Sequence, residues 1–447
     1  MASLNVYITT FNCAREPLRC EDFASHLFDA LPSEDIDALP DLLVLSLQEL
    51  APIAQSFLGG SFLTWYLERF RYAVELATSR FGGKSTRYSN VVTRNVGMTA
   101  IMVFAKEEKA KAIRWVETAG VGVGAWGMGN KGAVGVRLGY DAAARGANAE
   151  SEREVMEMTF VAAHLAPMED QTDRRNEDWK NIVRGLVFTP VDRSTISPRR
   201  VGNATEEERP LLYDAIENET RRYSGLYGST SHVFLAGDLN YRTQNRKPGP
   251  QDHHAYPQPA EYNDDSRHYS YLFKDDQLSR ELKAQKTCHG FTEAPVDFPP
   301  TYKYSNKQSE FRIDGEPQKW QWAKHRWPSW CDRILFLVPP PAGGDIQTHQ
   351  YTALPLMPTS DHRPVAISLS LPLKPIKRSD LTSDDPRAQS PFSIDPNWKE
   401  RREWARRREI VVGAFAYLGL TWEGNGILLA SAVGALGGWL LIRSLLD

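Results

Sequence analysis

The chain reads as an α/β protein whose sheets are covered by helices on their outer faces. Two observations predict this. Short apolar runs recur and break off into polar residues, which is how buried strands deliver side chains to a sheet edge. Helical patterns at 61–77 and 171–185 fall between these runs, and strand–helix alternation with paired strands calls for helix-covered sheets.

In chain order, residues 5–10 lead to Asn12, and 42–47 lead to Gln48 and Glu49. Residues 159–163 reach His164, and 233–236 reach Asp238 and Asn240. The run 334–338 follows Asp332, and 365–371 follows His362. Residues 142–152, 192–208 and 244–265 read as polar loops or insertions. Residues 374–396 are rich in Pro, Ser and Asp and read as a tether. No internal repeat is visible.

The 447 residues carry a formal net charge of −3 and are 41% hydrophobic, enough for one large domain or two ordinary ones. That balance argues against a dedicated nucleic-acid binder, whose footprint is basic. Cys13, Cys20, Cys288 and Cys331 form neither a disulfide framework nor a zinc spacing, which fits a reducing compartment. Residues 1–11 lack the basic start and long apolar core of a secretory signal. Asn203-Ala204-Thr205 and Asn218-Glu219-Thr220 match the glycosylation acceptor pattern, which stays unmodified in a cytosolic domain.

The last residues differ in character. Residues 410–422 are apolar, Glu423-Gly424-Asn425-Gly426 interrupts them, and 427–442 are apolar again without a charge. Extension to Leu446, with Arg443 snorkelling to the interface, gives a helix long enough for the ~30 Å hydrocarbon core. Ala430, Gly434 and Gly438 form a small-residue face suited to packing in lipid. Arg401, Arg402, Arg406, Arg407 and Arg408 make a basic flank that stays cytoplasmic. We expect a C-terminal membrane anchor, either a single tail span or a two-segment hairpin; a buried globular helix pair is the plain alternative.

Three ordered segments carry the chemistry: Gly237-Asp238-Leu239-Asn240-Tyr241-Arg242, Trp327-Pro328-Ser329-Trp330-Cys331-Asp332-Arg333 and Ser360-Asp361-His362-Arg363-Pro364. A core strand needs no charged pair at its mouth, so Asp332-Arg333 before an apolar run is informative. Glu49 offers the hard oxygen that Mg²⁺ prefers, or is a solvated strand end. Asn12 is a second candidate, or a turn cap. Gly237 permits tight backbone, and the i, i+2 spacing can aim Asp238 and Asn240 the same way. A histidine oriented by a carboxylate can donate to phosphoryl oxygens.

Together these segments resemble the inositol polyphosphate 5-phosphatases, and the resemblance covers residues 5–371 in order. It implies a four-layer α/β sandwich shared with metal-dependent endonucleases, to which the composition of the tail adds the C-terminal anchor. The chain then divides into a catalytic domain at 1–372, a polar then basic linker at 373–409 and an anchor at 410–447. By the same resemblance, Mg²⁺ is held by Glu49 with Asn12, and Asp238 activates the attacking water with Asn240 orienting it. Asp332 and His362 form the dyad, Asp361 stands near the water or metal, and His164 contacts the scissile phosphate. Lys131, Tyr302, Lys303, Lys324, Arg326, Arg242 and Arg333 are the implied substrate contacts, although a lone cation is as readily a solvated surface charge. Arg174 and Arg175 read as solvated or structural. The implied substrate is a phosphoinositide headgroup, foremost phosphatidylinositol 4,5-bisphosphate, at the cytoplasmic face of an internal membrane such as the endoplasmic reticulum. A nuclease or sphingomyelinase of the same fold, or an inactive phosphoinositide-binding module, is the rival.

Two decoys fail on physical grounds. Gly122-Val123-Gly124-Ala125-Trp126-Gly127 fits G-x-G-x-x-G, but a dinucleotide site needs a helix opening there, and the chain continues as a strand. Cys13 and Arg19 have the spacing of a thiol phosphatase loop, but Pro17 removes an amide donor and Glu16 adds negative charge where a thiolate must form.

Overall fold

A computed structural model describes residues 3–32, 39–81, 86–142, 154–191, 224–228, 230–259, 267–305 and 317–446. Nearly all of the loop expected at 142–152, all of 192–208, part of 244–265 and both glycosylation patterns lie outside the described residues.

The strands are β1 (Ser3–Asn12), β2 (Leu42–Gln48), β3 (Tyr88–Val96), β4 (Thr99–Lys106), β5 (Ile113–Gly122), β6 (Gly132–Asp141) and β7 (Val155–His164). They continue with β8 (Thr189–Pro190), β9 (His232–Asp238), β10 (Phe291–Glu293), β11 (Asp332–Leu337), β12 (Gln347–Ala353) and β13 (Val365–Pro372). The helices are α1 (Cys20–His26), α2 (Ile53–Leu58), α3 (Ser61–Phe81), α4 (Glu107–Ala110) and α5 (Thr172–Gly185). After them come α6 (Ser270–Phe273), α7 (Gln277–Lys283), α8 (Trp398–Leu420) and α9 (Trp422–Leu446). One sheet runs β12-β13-β1-β2-β4-β3, the other β10-β11-β9-β7-β6-β5-β8.

Period-two alternation builds the layers. On β1, Leu4, Val6 and Ile8 enter the core between the sheets, where they meet Val134 and Val136 of β6, Phe160 of β7 and Phe234 of β9. Tyr7 and Phe11 point the other way, into a cluster with Phe23 of α1 and Phe70 and Val74 of α3. The second sheet repeats the scheme: Val161, Val233 and Leu235 face Trp179 and Ile182 of α5 and Leu278 of α7. The result is the expected four-layer sandwich. Ser46 Oγ donates to the Ala236 carbonyl at 2.8 Å, tying β2 to β9 across the interior.

The stretch read as a tether is packed instead. Arg387 is buried and donates to the Val338 carbonyl at 3.1 Å, Phe392 packs on the outer cluster of the second sheet, and Ile376 is buried. Residues 410–420 are the second half of α8, which lies against α2, rather than a separate apolar arm. That leaves α9 as the one described helix long and apolar enough to cross a membrane, with mean hydropathy 1.7 and none of that window buried. Its 25 residues span about 37 Å at ~1.5 Å each.

Candidate active site

Register aligns the polar strand ends within each sheet: Asn12 pairs with Gln48 in one, and Gly132 with His164, His164 with Asp238 and Asp332 with Asp238 in the other, and packing of the sheets brings the two sets together. Gly237 lets β7 and β9 close up there, since a Cβ on it would sit 2.0 Å from the Ala163 carbonyl oxygen.

Asp238 is the hub. Its Oδ2 accepts from Asn12 Nδ2 at 2.8 Å and lies 3.2 Å from His164 Nε2 and 4.0 Å from His362 Nε2. Its Oδ1 accepts from the Asn240 amide at 3.1 Å. Burial opposes its ionisation, but His164, His362 and Lys131 outweigh burial and hold the carboxyl well below the usual carboxylate range.

His362 Nδ1 bonds Asp332 Oδ2 at 2.8 Å, and Thr301 Oγ1 donates to the same oxygen at 2.7 Å. Burial lowers the imidazole, and the carboxylates of Asp332, Asp238 and Asp361 more than reverse this, lifting it to about 9. His362 is therefore an imidazolium at neutral pH. Burial raises Asp332 to about 6 against the pull of His362. Ser360 Oγ accepts from the His362 amide at 3.0 Å and donates to the Asn12 carbonyl at 2.6 Å, seating the loop on β1. The Tyr302 ring lies 4.5 Å from the imidazole, with the Arg242 guanidinium 4.4 Å over that ring.

Lys131 reaches in from the start of β6. Its Nζ contacts His164 Nε2 and lies 3.7 Å from Glu49 Oε1. Burial, followed by the Lys131 charge, pushes the His164 imidazole below its ordinary value, against the pull of Asp238. Glu49 has φ +46° and is ion-paired with Arg15 at 2.9 Å.

Other expected positions divide. Lys303 pairs with Asp361, whose Oδ1 is 4.0 Å from His362 Nε2. Arg326 is half-buried, 3.9 Å from Glu169, and Lys324 is exposed. Asn240 has φ +58°, donates to the Leu165 carbonyl at 3.1 Å and accepts from Arg242, so its side chain turns away from that of Asp238. Arg333 is not brought to the cluster: it is fully buried between Asp276, at 3.0 Å, and Glu293, on the face of β11 opposite Asp332. A guanidinium so enclosed cannot meet a substrate phosphate. Arg175 is buried and bonds the Ala166 and Met168 carbonyls, a structural role. Thr301, Ser360 and Arg15 escaped the sequence reading because nothing in their spacing announces their partners.

The decoys are resolved as well. A tight turn, not an opening helix, follows Gly124, and β6 begins at Gly132. Burial, reinforced by Glu49, pushes the Cys13 thiol far above its ordinary range, the reverse of what a thiolate nucleophile needs.

The oxygen donors present fit a divalent cation: buried Asp332 Oδ1 has no hydrogen-bond partner, Asp238 and Glu49 offer carboxylates, and Asn12 Oδ1, which accepts from the Ala14 amide at 3.0 Å, keeps a second lone pair. Asp238, Asp332 and His362 bring one ligand-type atom each within 4.8 Å of one another, and the protonated His362 would serve there as a donor to anionic oxygen rather than as a ligand. Glu49 stands outside the trio and is linked to it through Lys131.

The two sheets, their covering helices and the buried acid–imidazole cluster at one end make an α/β sandwich with a polar pocket between its sheets. The chain belongs to the Endonuclease/Exonuclease/phosphatase family 2, whose model matches residues 9–368. Polyphosphatidylinositol phosphatase INP53 of Saccharomyces cerevisiae is 28% identical over 327 residues, 73% of this chain and 23% of that protein. Type II inositol 1,4,5-trisphosphate 5-phosphatase of Mus musculus is 28% identical over 282 residues, 63% of this chain and 22% of that protein. The chain thus spans less than a quarter of the length of these two relatives. Among solved structures, the inositol polyphosphate 5-phosphatase domain of spsynaptojanin, in complex with inositol (1,4)-bisphosphate and calcium ion, has the same fold. The TM-score is 0.58 over 92% of this chain and 93% of that one, at 21% identity.

Proposed function

We propose that the protein is a Mg²⁺-dependent phosphoinositide 5-phosphatase that acts on phosphatidylinositol 4,5-bisphosphate at the cytoplasmic face of an internal membrane. The observation that carries this reading is the convergence of Asn12, Lys131, His164, Asp238, Asp332 and His362 at one end of the sandwich, from strand ends of both sheets. The substrates for which the relatives are named, polyphosphatidylinositols and inositol 1,4,5-trisphosphate, supply the substrate class.

In this reading Glu49 and Asn12 hold the cation, which polarises the phosphoryl oxygens when bound. Asp238 takes the proton of the attacking water at Oδ2, held in place by Asn12 and by the Asn240 amide. His362 presents Nε2–H to the phosphoryl oxygens as a preorganised imidazolium, with Asp332 on Nδ1 fixing the ring. His164 and Lys131 contact the same phosphate group. Lys303, Tyr302, Lys324 and Arg326 line the approach for a second phosphate, where lysines act as point charges and arginine as a fork.

Chelation tests the reading directly. With EDTA, release of the 5-phosphate from inositol 1,4,5-trisphosphate is expected to fall to background and to return with excess Mg²⁺. Activity that persists in EDTA removes the mechanism. For the membrane assignment, α9 and its arginine-rich flank predict that the protein stays in the pellet after alkaline carbonate extraction; recovery in the supernatant contradicts an integral anchor.

A further inference from the structure

Helix α8 does more than lead to the apolar tail. Glu409, buried on α8, accepts a hydrogen bond from the Gly129 amide at 2.8 Å through Oε1. Its Oε2 lies 3.2 Å from Arg406 Nη1. Arg406 in turn donates to the carbonyls of Phe57 at 2.6 Å and Leu58 at 2.7 Å, satisfying the open end of α2. Arg408 donates to the Trp126 carbonyl at 3.0 Å, and Val412 packs on Phe57, Met98 and Met128.

Glu409 and Arg408, with Val412 through Met128, meet the turn 123–131, which ends in Lys131, while Arg406 holds the end of α2. The Gly129 carbonyl accepts from the Met98 amide at 2.9 Å, and the Lys131 carbonyl accepts from the Val123 amide at 2.9 Å. Gly129 has no room for a side chain, since a Cβ would come within 2.7 Å of the Gly97 nitrogen. Glu409 therefore holds one side of Gly129 while Met98 holds the other, two residues before the lysine that touches His164. A buried carboxylate is costly unless it is paired. Apolar residues would dock α8 more simply, so a carboxylate aimed at this one amide points to geometry rather than adhesion.

We propose that Glu409 is a positioning residue: by fixing Gly129 it sets Lys131 in the phosphate site, so that α8 couples the membrane-proximal tail to the catalytic centre. This rests on the phosphatase reading above.

The test uses the full chain in detergent micelles with Mg²⁺ and the soluble substrate inositol 1,4,5-trisphosphate, which takes substrate tethering out of the comparison. Glu409→Ala is expected to raise KM about tenfold, or about 1.4 kcal/mol, with a smaller change in kcat. Glu409→Gln keeps an acceptor for Gly129 and is expected to restore KM. Hydrogen exchange at the Gly129 amide should speed up in Glu409→Ala and not in Glu409→Gln. If Glu409→Ala does not fold, Glu409→Asp withdraws the acceptor by one methylene, keeps the charge for Arg406 and gives the same KM rise in milder form. Wild-type KM and wild-type Gly129 protection in the folded variant overturn the proposal, as does a loss confined to kcat and melting temperature. If the parent chain itself releases no phosphate, the phosphatase reading fails instead, and the amide exchange still reports on the Glu409 contact.

Discussion

Asp238→Asn is expected to lower kcat for phosphate release by ~10²–10⁴-fold, the range associated with loss of a positioned acid or base, with the chain still folded at a cost of about 1–3 kcal/mol in stability. The substitution preserves volume and leaves one oxygen to accept from Asn12 Nδ2, but it turns an NH2 toward the Asn240 amide, so one buried donor loses its acceptor. Asp238→Ala should be as inactive but less stable, because it leaves the buried Asn12 amide and His164 without an acceptor, at a cost of about 1–3 kcal/mol for each such group. A further physical point sharpens the expectation. The charges that hold Asp238 ionised in the free site also make it a weak base. An arriving phosphate dianion draws on those same groups, His164, His362 and Lys131, so the carboxylate gains basicity when substrate binds. Phosphate release and a thermal melt on the same preparations check this. Turnover of the Asn variant within a few-fold of the parent removes Asp238 from the role of proton acceptor.

The site was legible where one rule sufficed. Asn12, His164, Asp238 and Asp332 each stand where an apolar run ends or begins; strand register places His164, Asp238 and Asp332 side by side, and sheet packing brings Asn12 onto Asp238. The rule failed where alternation was not followed through or did not apply. Arg333 adjoins Asp332 on one strand, so period two sends it to the opposite face, where Asp276 and Glu293 enclose it. Asn240 was expected to point with Asp238, but β9 ends at Asp238 and the positive φ of Asn240 rotates its amide toward Leu165. Strands β3 and β12 are half-exposed edge strands with polar residues throughout, so no apolar run reveals them. The 374–396 segment misled by composition: its prolines and serines suit a tether, yet Ile376, Arg387 and Phe392 anchor it to the domain. Tertiary partners such as Thr301 on Asp332, or Glu409 on Gly129, leave no mark in local spacing.

His362→Gln is expected to lower kcat by ~10²–10³-fold, the scale of losing one preorganised donor to developing negative charge. The pH profile separates this role from simple packing. In the parent, the imidazole is protonated below about 9 and loses its proton above it, so kcat/KM should decline as pH rises through about 9. His362→Gln carries no titrating group and should lack that limb. Asp332→Asn removes the nearest of the carboxylates that lift the imidazole; burial then dominates, and the limb should move to lower pH, toward or below the ordinary imidazole value near ~6.5. The sign is decisive because the bland reading predicts otherwise. If the Asp332–His362 pair only braces the loop between Ser360 and Val365, both variants should lose stability and activity alike while the alkaline limb stays in place. A limb that stays near 9 in Asp332→Asn would therefore remove His362 as the proton-bearing donor, whatever the size of the activity loss.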